Sequence, residues 1–119
     1  MGREDEDMNV NPLMMKLKDV TGLDVVPDLY EGTNQKYITF TYEDERPIGF
    51  GDDEVLADTA YMQVNLFTPK NFNYMTLKTQ IRDYLESIGV LTDTLSRVYQ
   101  ENNEQIRQTT FTVEISEER

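Results

Sequence analysis

Apolar and polar residues alternate with two different periods along this chain, and the changes of period mark out its elements. Asn11-Pro12 opens the first helix, with Asn suited to the cap and Pro to the first helical position. Leu13, Leu17 and Val20 follow at spacings of four and three, with Met14 beside them, and Gly22 is placed to end the helix. Val25-Val26 before Pro27 reads as an extended entry segment, because a residue before proline avoids the helical region. From Tyr37 to Tyr42 the period becomes two: Ile38, Phe40 and Tyr42 alternate with Thr39 and Thr41, which predicts a half-buried strand. A second strand is predicted from about Val55 to Thr68, with Met62, Val64 and Leu66 on one face and Tyr61, Gln63 and Asn65 on the other. Pro69 stops it.

The period then returns to that of a helix. Tyr74, Leu77, Ile81, Tyr84, Leu85 and Ile88 recur at three- and four-residue spacings, with Asn71 or Asn73 able to cap and Gly89 to terminate. A closing hairpin is predicted from Leu95–Glu101 and Ile106–Ile115, joined by the turn pair Asn102-Asn103. The order helix, strand, strand, helix, strand, strand predicts a single α+β domain over residues 9–119. Its expected architecture is a four-stranded antiparallel sheet with the helices packed on one face. Residues 1–8 read as a disordered acidic tail. Residues 43–54, charged and rich in glycine, read as a long exposed loop of the kind that often carries function.

Composition narrows the chemistry. The 119 residues include no Cys and no His. Disulfides and thiolate zinc sites are excluded, and the commonest general base and transition-metal ligand is missing. Ser87, Ser96 and Ser116 lie in no nucleophile motif. Gly49-Phe50-Gly51 lacks the remainder of any phosphate-binding fingerprint. The acids of Asp52-Asp53-Glu54 do not have the spacing of a calcium loop. No catalytic, cofactor-binding or metal-binding residue is therefore assigned, and the expectation is a protein that is not an enzyme and uses no cofactor.

Eleven basic against 23 acidic residues give a net charge of −12, which opposes binding to nucleic acid and to anionic membranes. The N-terminal Met1-Gly2-Arg3-Glu4-Asp5-Glu6-Asp7 has no signal-peptide character, and no apolar run approaches the roughly 20 residues of a membrane span. Protein partners are the natural expectation. The interface candidates are Glu45, Arg46, Phe50, Asp52 and Asp53 in the charged segment, with Tyr61 and Gln63 on the polar face of the second strand.

Several segments also carry a resemblance. Tyr37-Ile38-Thr39-Phe40, the charged glycine-containing segment after it, Asp58-Thr59-Ala60-Tyr61-Met62-Gln63-Val64-Asn65-Leu66-Phe67, the helix Met75–Ile88 and Thr110-Phe111-Thr112-Val113-Glu114-Ile115 span Leu13 to Ile115. In that order they resemble the tail-completion proteins of long-tailed bacteriophages, which include tail terminators and tail-to-head joining proteins. The resemblance implies a structural virion protein that assembles in the host cytoplasm into a hexameric ring, whose subunits can be monomers in isolation. One ring face would meet the tail tube protein and the other the head connector protein, while DNA passes through without specific binding. Charge and size fit a different function as well: an acidic mimic of DNA that inhibits a DNA-binding enzyme.

Overall fold

The structure, a computed structural model, describes residues 11–48 and 57–118. The expected acidic tail of residues 1–8 lies outside the described residues. In chain order the elements are α1 (Asn11–Thr21), β1 (Asp24–Pro27), β2 (Tyr37–Ile48), β3 (Ala57–Pro69), α2 (Met75–Ile88), β4 (Val90–Glu101) and β5 (Glu104–Glu118). The fold is α+β, and the sheet has five strands in the order β1-β2-β3-β5-β4.

Two features of the expected sheet are corrected. The entry segment around Val25-Val26 is a fifth strand, and it pairs with β2 in parallel, Val25 beside Ile38 and Val26 beside Thr39. The sheet is therefore mixed rather than wholly antiparallel. The charged segment is also less of a loop than expected. β2 continues through Glu43–Ile48 against β3, with a register shift between Tyr42 and Asp44. That shift is where one extra residue enters the strand and bends it. Residues 49–54, the rest of the expected loop, are outside the described residues, as are Val55 and Leu56, the expected start of the second strand.

The period-two pattern divides the sheet cleanly. Ile38 and Phe40 of β2 lie opposite Leu66 and Val64 of β3, and Val64, Met62 and Ala60 lie opposite Phe111, Val113 and Ile115 of β5. All nine are buried, and with Met14, Leu17, Val25, Ile81 and Leu85 they form the core. Both helices thus pack on this one face. Removing Phe111, the largest fully buried side chain, belongs to the class of core truncations that cost about 3–5 kcal/mol. Tyr84 fastens the helices to each other by donating its hydroxyl proton to the Leu13 carbonyl at 2.7 Å.

Helix ends show where local chemistry was read correctly and where it was not. Gly22 ends α1 at φ 78°, with its N–H on the Lys18 carbonyl at 2.7 Å. Asn73 accepts from the Met75 N–H at 3.2 Å, so it serves the start of α2 from two residues ahead. Gly89 ends α2 for a different reason than a left-handed turn: its backbone is extended, at φ −170°. A Cβ at this position would fall on the Glu114 carbonyl oxygen of β5. The glycine is needed there for close approach rather than for conformational freedom. At the hairpin, Asn102 and Asn103 both have positive φ, 53° and 65°, the signature of the two-residue turn that matches strand twist.

Candidate interaction face

Among the described residues, no element packs on the second face of the sheet. A half-exposed sheet face is usually a row of separate polar side chains. Here it is a connected network running across four strands. Asn65 of β3 sits at its centre, and the register places it beside Thr39 of β2 and Thr110 of β5. Its amide donates to the Thr39 hydroxyl at 3.4 Å, while its carbonyl accepts from the Thr110 hydroxyl at 2.7 Å and from Gln108 Nε2 at 3.0 Å. Arg97 of β4 completes the network by donating Nε and Nη2 to Gln108 Oε1 at 3.3 and 3.0 Å. Thr39 and Asn65 are buried although no described element covers the face. Buried polar groups of this kind must find partners, and each of these two does.

Aromatic rings flank the network toward one end of the sheet. Tyr30, Tyr37 and Phe67 stack in sequence, with centroids 4.1 and 4.7 Å apart and ring planes within 20°. The Tyr30 hydroxyl donates to Asp24 Oδ2 at 2.8 Å, and the Asn34 amide donates to the same oxygen at 3.0 Å. These two hydrogen bonds hold the Asp24 carboxyl below its usual range. Burial raises the Tyr37 hydroxyl above its usual value. The stack forms one wall of an open groove of about 850 Å³, whose other wall includes Lys70, Gln105 and Ile106. Arg97 lies over the Tyr99 ring at 5.1 Å, so a cation and an aromatic also share the β4 side of the face.

The interface candidates from the sequence fall into three groups. Tyr61 and Gln63 lie on β3 on this second face, in the same alternation as Asn65 and Phe67, and both are half-buried. Glu45 and Arg46 lie on β2, opposite Ala60 and Thr59, where a loop was expected. Phe50, Asp52 and Asp53 are outside the described residues. Thr39, Gln108, Thr110, Arg97 and the Tyr30–Tyr37–Phe67 stack were not among the candidates read from the sequence. Each sits at an outward position of its strand or in the segment between β1 and β2. Nothing in a single sequence says which outward positions of different strands become neighbours.

Among the described residues no three acidic side chains come together in a way that could hold a metal ion. Nor is any described helix long and apolar enough to cross a membrane. Neither a protein-family model nor a curated protein matches the chain. Several solved structures are similar to the chain; one of them matches over 89% of this chain and 89% of its own length, at a TM-score of 0.48 and 11% sequence identity. Its name states no activity and no partner. What the arrangement offers is a large polar-aromatic surface with rigid side chains, suited to contact with another macromolecule.

Proposed function

We propose that this protein is a structural subunit that completes the tail of a long-tailed bacteriophage, capping the tail tube and joining it to the head connector. The observation that carries the reading is a mismatch of lengths. β3 and β5 have 13 and 15 residues, whereas α1 and α2 have 11 and 14. The strands thus extend about 43 and 50 Å, against about 16 and 21 Å for the helices. A sheet that so outgrows its helical cover, with its second face polar-aromatic and uncovered among the described residues, fits a subunit whose surface is finished by its neighbours. The net charge of −12 supports the same function, since a ring of acidic subunits leaves duplex DNA free to slide.

The test is deletion of the gene in the parent phage or prophage, followed by electron microscopy of the induced lysate. Filled heads beside unattached tails are expected. Tubes of excessive length would favour a terminator, and normal tubes that fail to join would favour a head-to-tail connector. Intact, infectious virions from the deletion strain would sink the reading.

A further inference from the structure

The two edges of the sheet are built differently. β1, the outer strand on one side, has four residues and ends in Pro27; β2, beyond the reach of β1, carries Glu43, Asp44, Glu45 and Pro47. Short length, charge and proline are the usual means of keeping a sheet edge from pairing with another chain. β4, the outer strand on the other side, has 12 residues, no proline and no lysine. Its irregularity is confined to one end, between Leu91 and Asp93, where the Thr92 hydroxyl donates to the Thr112 carbonyl at 3.2 Å. From Asp93 to Glu101 it is regular. Leu95 and Val98, on opposite faces of this edge strand, are 64% and 41% exposed. An edge of this length with exposed aliphatic residues invites strand addition.

The charges on β4 say what fits it. Asp93, Arg97 and Glu101 recur every four residues on the same face as Leu95, with signs minus, plus, minus. A second copy of β4 laid antiparallel against the first has few registers to choose from. With Arg97 opposite itself, Asp93 meets Glu101 and every charged pair repels. With Tyr99 opposite itself, Arg97 meets Glu101, but Leu95 passes beyond the partner strand to Asn103 in the turn. With Leu95 opposite itself, Asp93 of each copy meets Arg97 of the other, and the exposed leucines cover each other on the two-fold axis. Thr94 then faces Ser96. The outer segment of β2 is a poorer match, because its three consecutive acids would confront Asp93 and Glu101.

We propose that β4 pairs with β4 of a second copy of this chain, antiparallel and centred on Leu95, to make a symmetric dimer with a continuous ten-stranded sheet. Main-chain hydrogen bonds supply the affinity and the two Asp93–Arg97 contacts set the register. Such an interface is isologous, so it closes at two subunits. The inference stands apart from the tail reading and does not depend on it.

The absence of cysteine in the natural chain makes the test direct. Leu95→Cys, Val98→Cys and Tyr99→Cys would each be treated with a short bismaleimide at micromolar protein concentration. Cross-linked dimer is expected from Leu95→Cys, and little from the other two, because Val98 would face Thr92 and Tyr99 would face Leu91. Sedimentation equilibrium of the unmodified chain should show a monomer–dimer equilibrium. The exposed charge variants Asp93→Arg and Arg97→Asp should each weaken it about tenfold, and the double variant should recover it. Circular dichroism would check that each variant folds. A folded chain that remains monomeric, or one that associates without cross-linking at residue 95, overturns the proposal. A dimer cross-linked at residue 95 together with normal virions from the deletion strain would uphold this inference and remove the tail reading.

Discussion

Asp24 shows how one side chain can tie a segment to the sheet and make it sensitive to pH. Its carboxylate accepts from Tyr30 and Asn34 and so anchors the segment that carries the outer ring of the aromatic stack. Both hydrogen bonds favour the ionised form, and its pKa is lowered from the ordinary value near 3.8. The unfolded chain therefore binds this proton more readily than the folded chain. The stabilisation from Asp24 is fully present above pH 4 and is lost as pH falls through the lower, folded value. Tyr37 gives the opposite slope at the alkaline end: burial raises its hydroxyl above the ordinary 10.0, so the fold loses stability as pH climbs past 10. Asp24→Asn should consequently lower the urea midpoint at pH 7, and the gap to the wild type should narrow as pH falls below the ordinary value near 3.8. A gap that stayed constant across this range would mean that the carboxylate charge does not hold the segment.

At the scale of elements, Gly89 has the most demanding position, because α2 must turn directly into β4 while passing against β5. A methyl group here meets the backbone carbonyl of Glu114, which cannot swing away as a flexible side chain would. Gly89→Ala should cost about 1–3 kcal/mol, the range for forced overpacking, and the loss should show in the urea midpoint without a change in slope. A substitution within about 0.5 kcal/mol of wild type, the usual range for surface changes, would mean that the β5 backbone yields freely. Elements whose residues face the core were legible in the sequence, since burial imposes a period. The strand from Tyr37, the strand through Met62, Val64 and Leu66, and the helix ending at Ile88 all declared themselves this way. What was missed lies where burial imposes nothing. β1 has a single buried residue, Val25, and becomes a strand through pairing with β2. The stretch of β2 after Tyr42 is charged and has no apolar alternation to read. The first residues of β4, Val90 to Thr94, are half-buried or exposed and straddle the register shift. The candidate face was legible in part for the same reason. Alternation placed Tyr61, Gln63 and Asn65 on one side of β3, but the partners of Asn65 come from strands 26 and 45 residues away in sequence.

Across the whole molecule, charge and shape are linked. The extents are 54 × 28 × 24 Å, with the long strands setting the greatest dimension. Residues 43–58 hold seven acids, Glu43, Asp44, Glu45, Asp52, Asp53, Glu54 and Asp58, against the single base Arg46. The register brings β5 acids to the same end of the sheet: Asp58 lies opposite Glu117, and Tyr61, beside Asp44, lies opposite Glu114. Like charges opposed across strands destabilise a sheet, and this end lies beyond Val90, the first residue of β4, which pairs with Glu114. Lys36, Lys70 and Arg107 belong to the other end, near Phe72, Gln105 and Tyr74, too far to offset the acids. The isolated chain should accordingly become more stable as salt rises. Between 10 and 150 mM NaCl the screening length falls from about 30 to about 8 Å, so most of the gain should come in that interval. Glu117→Lys, which places a cation opposite Asp58, should raise the urea midpoint at 10 mM NaCl by the equivalent of roughly 0.2–1 kcal/mol. In 0.5 M NaCl the same substitution should make little difference. A midpoint independent of salt, with Glu117→Lys neutral at every ionic strength, would show that the acids at this end do not repel one another enough to matter. A salt dependence that disappears with Glu117→Lys would place the repulsion at the three-stranded end, where binding of a cationic partner would relieve it in the same way.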